Sequence, residues 1–361
     1  MDVRKVGVEE ELLLVDSDSG QALALSAAVL RRVPACDEVA LTSELTRQQI
    51  ETNTQPCTSL EDLRREVRRW RRTAAEAASS RNAAIAALAT SPLPVHPSIT
   101  STTRYQRMVD EFGLTAEQQL TCGCHVHVEV ESDAEAVAVL DRIRGWLPCL
   151  RALSTNSPFW QGQDSGYASF RSQVWGRWPS AGPTELFGTP ETYHATIQAM
   201  VATKTLLDPG MVYFDARLSL ENPTVEVRVA DVCLLADDAV LLAALTRALV
   251  ETAARSWRAG EPPAPIRVEL LRLSGWRAGR SGLEDDLLDA DGRPAPAPQV
   301  IRALLDHVAP VLAEHRELDS VKDLLAAVLD RGTGAATQRR IYRQSGQLAD
   351  VVTHAVKATM S

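Results

Sequence analysis

Acidic and histidine side chains recur at every second position in short, otherwise apolar segments of this sequence. Glu9 and Glu11 are two residues apart, and so are His125 and His127. Successive side chains of a β-strand point to opposite faces of its sheet, so residues two apart share a face. Each segment is therefore predicted to be a strand with an apolar face and a face that carries ionisable groups.

Two further segments combine the same alternation with arginine. Glu226 and Arg228 share one face of a predicted strand, while Val225 and Val227 point to the other face. Arg217 lies on the polar face of the strand that precedes it. An antiparallel sheet commonly has one solvated face, but here that face is rich in groups that bind cations and anions. We interpret it as an active site.

The residue types on this face indicate the chemistry. Four carboxylates are candidate ligands for a hard cation: Glu9, Glu11, Glu51 and Glu226. Mg²⁺ prefers oxygen ligands of this kind and bridges to phosphates, and Mn²⁺ is an alternative. Arginines hold phosphate or carboxylate through forked hydrogen bonds. Carboxylates beside arginines are typical of phosphoryl transfer, although neither a P-loop nor a Rossmann glycine motif occurs in the sequence.

Each of these signals also has a simpler interpretation. Glu9 and Glu11 by themselves fit a solvated strand face, and Glu226 with Arg228 fits a cross-strand ion pair. The run from Cys122 to His127 fits a soft-metal site. In a regular strand, however, the two thiols of that run point away from the imidazoles, which favours buried cysteines behind a histidine pair. The combination on matching strand faces favours the active-site interpretation.

The remaining segments predict the elements that position this face. Four strands are predicted, over 6–15, 121–131, 211–220 and 223–232. Six helices are predicted, over 61–89, 134–153, 237–258, 299–315, 318–331 and 336–357. Residues 154–190 are predicted to be a long, ordered loop system, because they are rich in glycine, proline and aromatic residues. Strands and helices do not alternate regularly, so we expect an α+β fold and a single domain over 1–361.

Composition limits the classes of partner. A formal net charge of -9 argues against a general nucleic-acid-binding protein. No run of about 18 apolar residues is present, so no membrane span is expected. The six cysteines are scattered and are predicted to be reduced, which favours a cytoplasmic protein that acts on small molecules. The apolar helix over 237–258 fits either the core or the interface of a homo-oligomer.

Eight ordered motifs carry a family resemblance. They are Val6–Leu12, Gln49–Pro56, Cys122–Val128, Ser154–Pro183, Tyr213–Arg217, Thr224–Asp231, Trp276–Arg280 and Gly332–Arg339. Together they resemble the carboxylate–amine ligases, the group of the bacterial type 2 glutamate–cysteine ligases. The resemblance covers nearly the whole chain. It implies a glutamine-synthetase-like fold, in which helices pack on the outer side of a curved, mainly antiparallel sheet.

The resemblance also implies a reaction and roles for residues. The family activates a carboxylate with ATP as an acyl phosphate, which an amine attacks to give an amide. In the type reaction, glutamate supplies its side-chain carboxylate and cysteine its amine. The acidic positions that match are Glu9, Glu11, Glu51 and Glu226, with Glu44 as a further candidate. Arg171, Arg217 and Arg228 are candidates for holding phosphate or the substrate carboxylate, and His125 and His127 for holding metal or nucleotide phosphate.

Three alternatives remain open at this point. The same chemistry can act on a different carboxylate and amine, because a fold and its phosphoryl-transfer residues are reused. A non-catalytic regulator would bind metal and nucleotide without forming a product. A metallohydrolase built on His125 and His127 would bind Zn²⁺ or Mn²⁺ and need no ATP, but the number of carboxylates and the lack of a His-Glu-x-x-His run count against zinc.

Overall fold

An antiparallel sheet of seven strands lies at the centre of the protein, which a computed structural model describes for residues 3–33 and 41–361. Cys36, one of the predicted thiols, lies outside the described residues. The strands are β1 (Val6–Asp16), β2 (Thr42–Ser43), β3 (Gln49–Asn53), β4 (Ala83–Ala86), β5 (Gly123–Glu129), β6 (Phe159–Trp160), β7 (Gln163–Asp164), β8 (Ala216–Leu218), β9 (Thr224–Asp231), β10 (Asp286–Leu288) and β11 (Pro294–Pro296). The large sheet has the order β2-β3-β1-β5-β9-β8, and β4 pairs with β1.

The described helices cover most of the remaining chain. They are α1 (Ser26–Leu30), α2 (Leu60–Ser79), α3 (Thr103–Phe112), α4 (Leu114–Glu117), α5 (Asp133–Ile143), α6 (Leu147–Ser154), α7 (Arg171–Trp175), α8 (Pro190–Ala202), α9 (Ala236–Arg258), α10 (Val268–Ser281), α11 (Ala297–Glu314), α12 (Leu318–Arg331), α13 (Gly334–Ser345) and α14 (Leu348–Thr359). A short 3₁₀ helix spans Pro209–Met211. The α+β fold predicted from the sequence is confirmed.

Strand parity decides which face of the sheet is covered. Val6 and Val8 of β1 and Val126 and Val128 of β5 are buried in one apolar cluster with residues of α9. Helices α2, α5, α6 and α9 contact the strands. Seventeen of the residues of α9 are buried within the chain, so this helix belongs to the core. Within the described residues, no helix has the length and hydropathy that crossing a bilayer requires.

The prediction of a helix through residue 89 was wrong. Helix α2 begins after Ser59, whose side chain accepts hydrogen bonds from the amides of Glu61 and Asp62, and it ends at Ser79. A turn through Asn82, with a φ of 55°, then leads into β4. The alanines of β4 pair with β1 and are largely buried, so tertiary packing overrides the helix propensity of alanine.

Other predicted boundaries also need correction. The strand predicted over 211–220 is limited to β8, because the 3₁₀ helix occupies its start. The helix predicted over 134–153 is two helices, α5 and α6, and the helix over 336–357 is α13 and α14. Gly346, with a φ of 70°, ends α13 in a conformation that glycine adopts without strain. The segment 154–190 contains α7 and the hairpin β6–β7.

Candidate active site

The polar face of the large sheet brings together residues that are far apart in sequence. In the strand registers, Glu9 lies opposite His125, Glu11 opposite Glu51, and His127 opposite Glu226. Arg217 lies opposite Glu226 on the other side of β9. The register of β5 on β9 shifts between Cys124 and Val126, and such bulges occur next to active sites. Cys122 and Cys124 are both buried, as predicted.

Both histidines contact the carboxylate of Glu9. The Nδ1 atom of His125 is 3.1 Å from Glu9 Oε2, and the Nε2 atom of His127 is 3.1 Å from Glu9 Oε1. Burial, with Arg228 nearby, lowers the pKa of His125 to about 3, so this imidazole is neutral. Burial by itself would raise the pKa of Glu9, but the two imidazoles beside its carboxylate hold that pKa below its ordinary value. Glu9 is therefore an ionised acceptor at the centre of the face.

Three carboxylates meet beside Glu9 on β1, β3 and the segment before β3. One oxygen each of Glu11, Glu44 and Glu51 lies within 4.8 Å of the others. Glu11 Oε2 accepts a 2.6 Å hydrogen bond from the amide of Gly123. Burial and then the charges of Glu9 and Glu11 raise the pKa of Glu51 to about 7. Burial and the charge of Glu51 also raise the pKa of Glu44 well above its ordinary value. Like charges held this close favour a cation between them.

The donor set of this face fits a hard cation. Besides the three carboxylates just described, two mixed groups have ligand atoms within 4.8 Å of one another: Glu9, Glu51 and His125, and Glu9, His127 and Glu226. Within the described residues, the Nε2 atom of His125 is buried without a hydrogen-bond partner. Most of the donors are carboxylate oxygens, which Mg²⁺ and Mn²⁺ accept, and no described thiol lies among them.

Two predicted arginines are paired with a predicted metal ligand. Arg217 Nε donates to Glu226 Oε2 over 2.7 Å, and Arg228 also donates to Glu226. Burial and the neighbouring charge of Arg217 lower the pKa of Arg228 to about 10, so it remains a cation at neutral pH. The structure therefore places Arg217 and Arg228 on the sheet face, as predicted, but their first partner here is Glu226.

Arg171, the third predicted arginine, reaches the site from α7. It is buried, and the absence of a side chain at Gly123 makes room for it, since a Cβ there would lie 2.4 Å from Arg171 Nη2. The loop that carries it is fixed by Asp231, whose carboxylate accepts hydrogen bonds from Asn156 N, Ser157 Oγ and Ser169 Oγ. This network was not predicted from the sequence. The available signal was the position of Asp231, a carboxylate that the alternation places on the apolar face at the end of a predicted strand.

Three clefts form one groove along the polar face. The first, here called the acidic cleft, has a volume of about 300 Å³ and is lined by the glutamates and histidines described above together with Arg217 and Arg228. The outer cleft, of about 680 Å³, shares Glu9, Glu51 and His127 with it. The cationic cleft, of about 410 Å³, shares Trp175, Trp178 and Arg228 with it. Arg104 and Tyr105 of α3 also line the acidic cleft, but α3 itself was not predicted.

Comparison with known proteins decides the family. The sequence profile of glutamate-cysteine ligase family 2 matches residues 5–354. The chain belongs to this family. As a member of glutamate-cysteine ligase family 2, the protein is an ATP-dependent ligase.

Two relatives show how completely the family likeness covers the chain. A Streptomyces avermitilis protein named for glutamate–cysteine ligase 2-1 is 55% identical over 360 residues, which is 99% of this chain and 99% of its own. A Streptomyces coelicolor protein named for glutamate–cysteine ligase 2 is 53% identical and covers 99% of this chain and 100% of its own.

Solved structures of more distant proteins share the fold. The glutamate–cysteine ligase of Francisella tularensis in complex with AMP has a TM-score of 0.70 at 14% identity, over 100% of this chain and 90% of its own. The bifunctional glutathione synthetase of Pasteurella multocida has a TM-score of 0.71 at 16% identity and covers 99% of this chain. The chain spans about half, 52%, of that second structure. The fold of this family member is thus shared with known ligases.

Proposed function

We propose that this ligase joins the side-chain carboxylate of glutamate to the amine of cysteine, with Mg²⁺-ATP as the source of energy. One observation carries the proposal: carboxylates, imidazoles and arginines from five strands and α7 meet on a single sheet face. The relatives named for glutamate–cysteine ligase, which match over their full length, support this substrate pair. The acidic groups would bind the metal, and the arginines would bind the anions that the metal does not neutralise.

The metal is assigned to the acidic cleft. Glu9, Glu11, Glu51 and Glu226 are the proposed ligands, with Glu44, His125 and His127 as further donors. When bound, Mg²⁺ or Mn²⁺ would neutralise phosphate charge and so supply electrostatic stabilisation of phosphoryl transfer. We further propose that the outer cleft holds the nucleoside of ATP, because it adjoins the acidic cleft and has room for a ligand of that size.

The arginines position the reacting groups. A carboxylate oxygen of the acid substrate attacks the γ-phosphorus of ATP, the bond to the β–γ bridging oxygen breaks, and ADP leaves. Arg228 and Arg171 lie where they can hold the oxygens of the transferred phosphoryl group. The amine nitrogen then attacks the acyl carbon, phosphate leaves with the carbon–oxygen electron pair, and the nitrogen loses a proton. Trp175 and Trp178 wall this part of the groove and help to exclude water from the acyl phosphate.

The proposal is tested by measuring phosphate release from Mg²⁺-ATP with single amino acids and pairs, and by identifying amide products by mass spectrometry. Phosphate and γ-glutamylcysteine that both require glutamate, cysteine and metal are the expected result. Glu9→Gln should abolish both. Glu61→Gln is the matched control, since Glu61 is exposed on α2 and pairs with Arg64.

Three outcomes would change the proposal. A different amide from another pair would keep the chemistry and change the substrates. Cation-dependent ATP binding without a product under any pair would indicate a regulator. Metal-dependent hydrolysis of an added substrate in the absence of ATP would indicate a metallohydrolase and refute the ligase proposal.

A further inference from the structure

The cationic cleft carries a charge pattern that the phosphoryl-transfer machinery leaves unexplained. Five arginines line it: Arg151, Arg171, Arg177, Arg228 and Arg272. One carboxylate, that of Asp215, lies among them. The volume of about 410 Å³ is in the range of small-molecule sites. A ligand of this cleft should therefore carry more than one negative group and a single positive group.

Residues that line the cationic cleft carry donors without a hydrogen-bond partner. Among the described residues, the Nε atoms of Arg151, Arg171 and Arg228 and the Nε1 atom of Trp178 are buried without a hydrogen-bond partner. Arg171, Arg228 and Trp178 are each more than nine-tenths buried. A buried donor without an acceptor is costly, and each one in a native protein calls for an explanation. Carboxylates of a ligand in the cleft would compensate the charge of these guanidinium groups.

Asp215 and Arg151 form a pair that can bind the ammonium and carboxylate groups of an α-amino acid. Arg151 Nη2 donates to Asp215 Oδ1 over 3.1 Å, and both side chains are 15% exposed. In the part of the chain that the structure describes, no hydrogen bond reaches Asp215 Oδ2. Gly275 of α10 leaves room for the guanidinium, because a Cβ there would lie 2.5 Å from Arg151 Nη1. An ammonium group beside Asp215 and a carboxylate beside Arg151 would extend this pair.

The cationic cleft adjoins the acidic cleft at Arg228 and Trp175. Arg228 and Trp175 line both the cationic and the acidic cleft, and the guanidinium carbons of Arg171 and Arg228 lie 5.6 and 5.7 Å from the Trp175 ring centroid. A ligand held by Arg151 and Asp215 can therefore extend a second carboxylate toward the boundary at Arg228. That boundary is where phosphoryl transfer is proposed to occur.

We propose that the cationic cleft binds the acyl donor as an α-amino dicarboxylate: Asp215 holds its α-ammonium, Arg151 its α-carboxylate, and Arg228 receives its side-chain carboxylate. The assignment rests on the proposed function and adds the residues that select the acid. A neutral amino acid would leave the positive charge of the cleft uncompensated. The nucleotide is assigned to the other end of the groove, where the partly or fully exposed charged residues include Lys5, Glu129 and Glu221.

The experiment pairs two variants with two substrate analogues that each lack one group. Glutarate lacks the α-ammonium, and 4-aminobutyrate lacks the α-carboxylate. Steady-state phosphate release is measured for the wild type, Asp215→Asn and Arg151→Gln, with L-glutamate and both analogues. Each variant should raise the KM for L-glutamate by about tenfold to a hundredfold, since a charge-assisted hydrogen bond is lost. The KM for ATP should stay within about twofold, because the proposed contacts do not include the nucleotide.

The decisive result is that each variant should be insensitive to one of the two analogues. Asp215→Asn should leave the KM for glutarate unchanged, and Arg151→Gln should leave the KM for 4-aminobutyrate unchanged, because in each case the partner group is already absent. A folding defect cannot produce this pattern. Arg151→Lys should restore part of the affinity for L-glutamate. Asp133→Asn and Arg267→Gln, at exposed ion pairs that line none of the three clefts, serve as controls.

The outcomes separate this assignment from the function on which it rests. If L-glutamate supports turnover and neither variant changes its KM, the assignment is overturned and the proposed ligase function is kept. The same holds if both variants raise the KM for ATP as much as the KM for L-glutamate. A rise in the KM for ATP alone would place the nucleotide in the cationic cleft and would also overturn it. If no α-amino dicarboxylate supports turnover or shifts the melting temperature of the wild type, both proposals fail.

Discussion

In metal-free protein, Glu51→Gln should raise the melting temperature at pH 8 and raise it much less at pH 5. Burial and the charges of Glu9 and Glu11 raise the pKa of Glu51 to about 7. A group whose pKa is raised in the folded state stabilises the fold fully below its unfolded pKa, and this contribution is lost as the pH rises through the folded pKa. Glutamine resembles the neutral acid, so the variant does not lose this stability at pH 8.

The size of the stability change follows from the shift in the pKa of Glu51. The pKa of Glu51 moves from 4.5 to about 7, which corresponds to about 3 kcal/mol at about 1.4 kcal/mol for each pKa unit. Glu51 is half-buried, and solvent screening reduces the expected effect to roughly 2 kcal/mol. With an unfolding entropy of about 2.1 cal/mol/K per residue, this chain should melt roughly 3 °C higher as the variant at pH 8.

The assay is scanning fluorimetry of both proteins in chelator at pH 5 and pH 8, repeated with Mg²⁺. Thr42 and Asn53 donate to the Oε1 atom of Glu51, and the amide oxygen of glutamine can accept the same bonds, so local structure should be kept. Mg²⁺ should raise the melting temperature of the wild type at pH 8 and that of the variant much less. A variant that melts lower than the wild type at pH 8 in chelator would show that the cluster is not under electrostatic strain, and our reasoning would be wrong.

Three further results are expected. Gly123→Ala should lower turnover by about a hundredfold by displacing Arg171, and phosphate-release kinetics at saturating substrates measure this; full activity would show that Arg171 need not occupy its present position. Arg71→Ala should destabilise the fold by about 3–5 kcal/mol in denaturant unfolding, because it removes the partner of the buried Glu10 carboxylate, whereas a combined Arg71→Met and Glu10→Leu change should cost much less. In native protein, iodoacetamide followed by mass spectrometry should leave Cys122 and Cys149 unlabelled, since both are buried and burial raises the pKa of Cys149 to about 12.

Period-two alternation was enough to predict which residues share the polar face. It placed Glu9, His125, His127 and Glu226 on one side, because parity is a local property of a strand. It did not reveal the register that puts Glu9 opposite His125, since register depends on pairing between distant segments. Glu10 was anomalous in the sequence, as a carboxylate on an apolar face. The structure explains it by a paired hydrogen bond from Arg71 of α2, which no local pattern indicates.

The elements that failed in prediction are those whose conformation depends on distant contacts. The alanines of β4 have a high helix propensity but form a strand because they pair with the end of β1, beyond the residues that pair with β5. The loop that presents Arg171 is fixed by Asp231 and also contacts α13, where Gln338 donates to the backbone carbonyl of Asn156. Its conformation is therefore determined by residues 60 and more positions away, and only the three-dimensional structure shows it.

The distribution of charge along the groove indicates how its anionic ligands can bind together. The protein has a formal net charge of -9, and the acidic cleft adds a local excess of carboxylates, so free ATP meets a repulsive surface. The cationic cleft has a local excess of arginines instead, so an acid substrate needs no metal cation to bind there. ATP is thus expected to depend on metal for binding, whereas the acid should bind with little dependence on metal. Calorimetric titrations of each substrate in chelator and in Mg²⁺ would measure this asymmetry, and equal metal dependence would contradict the separation of charge on which it is based.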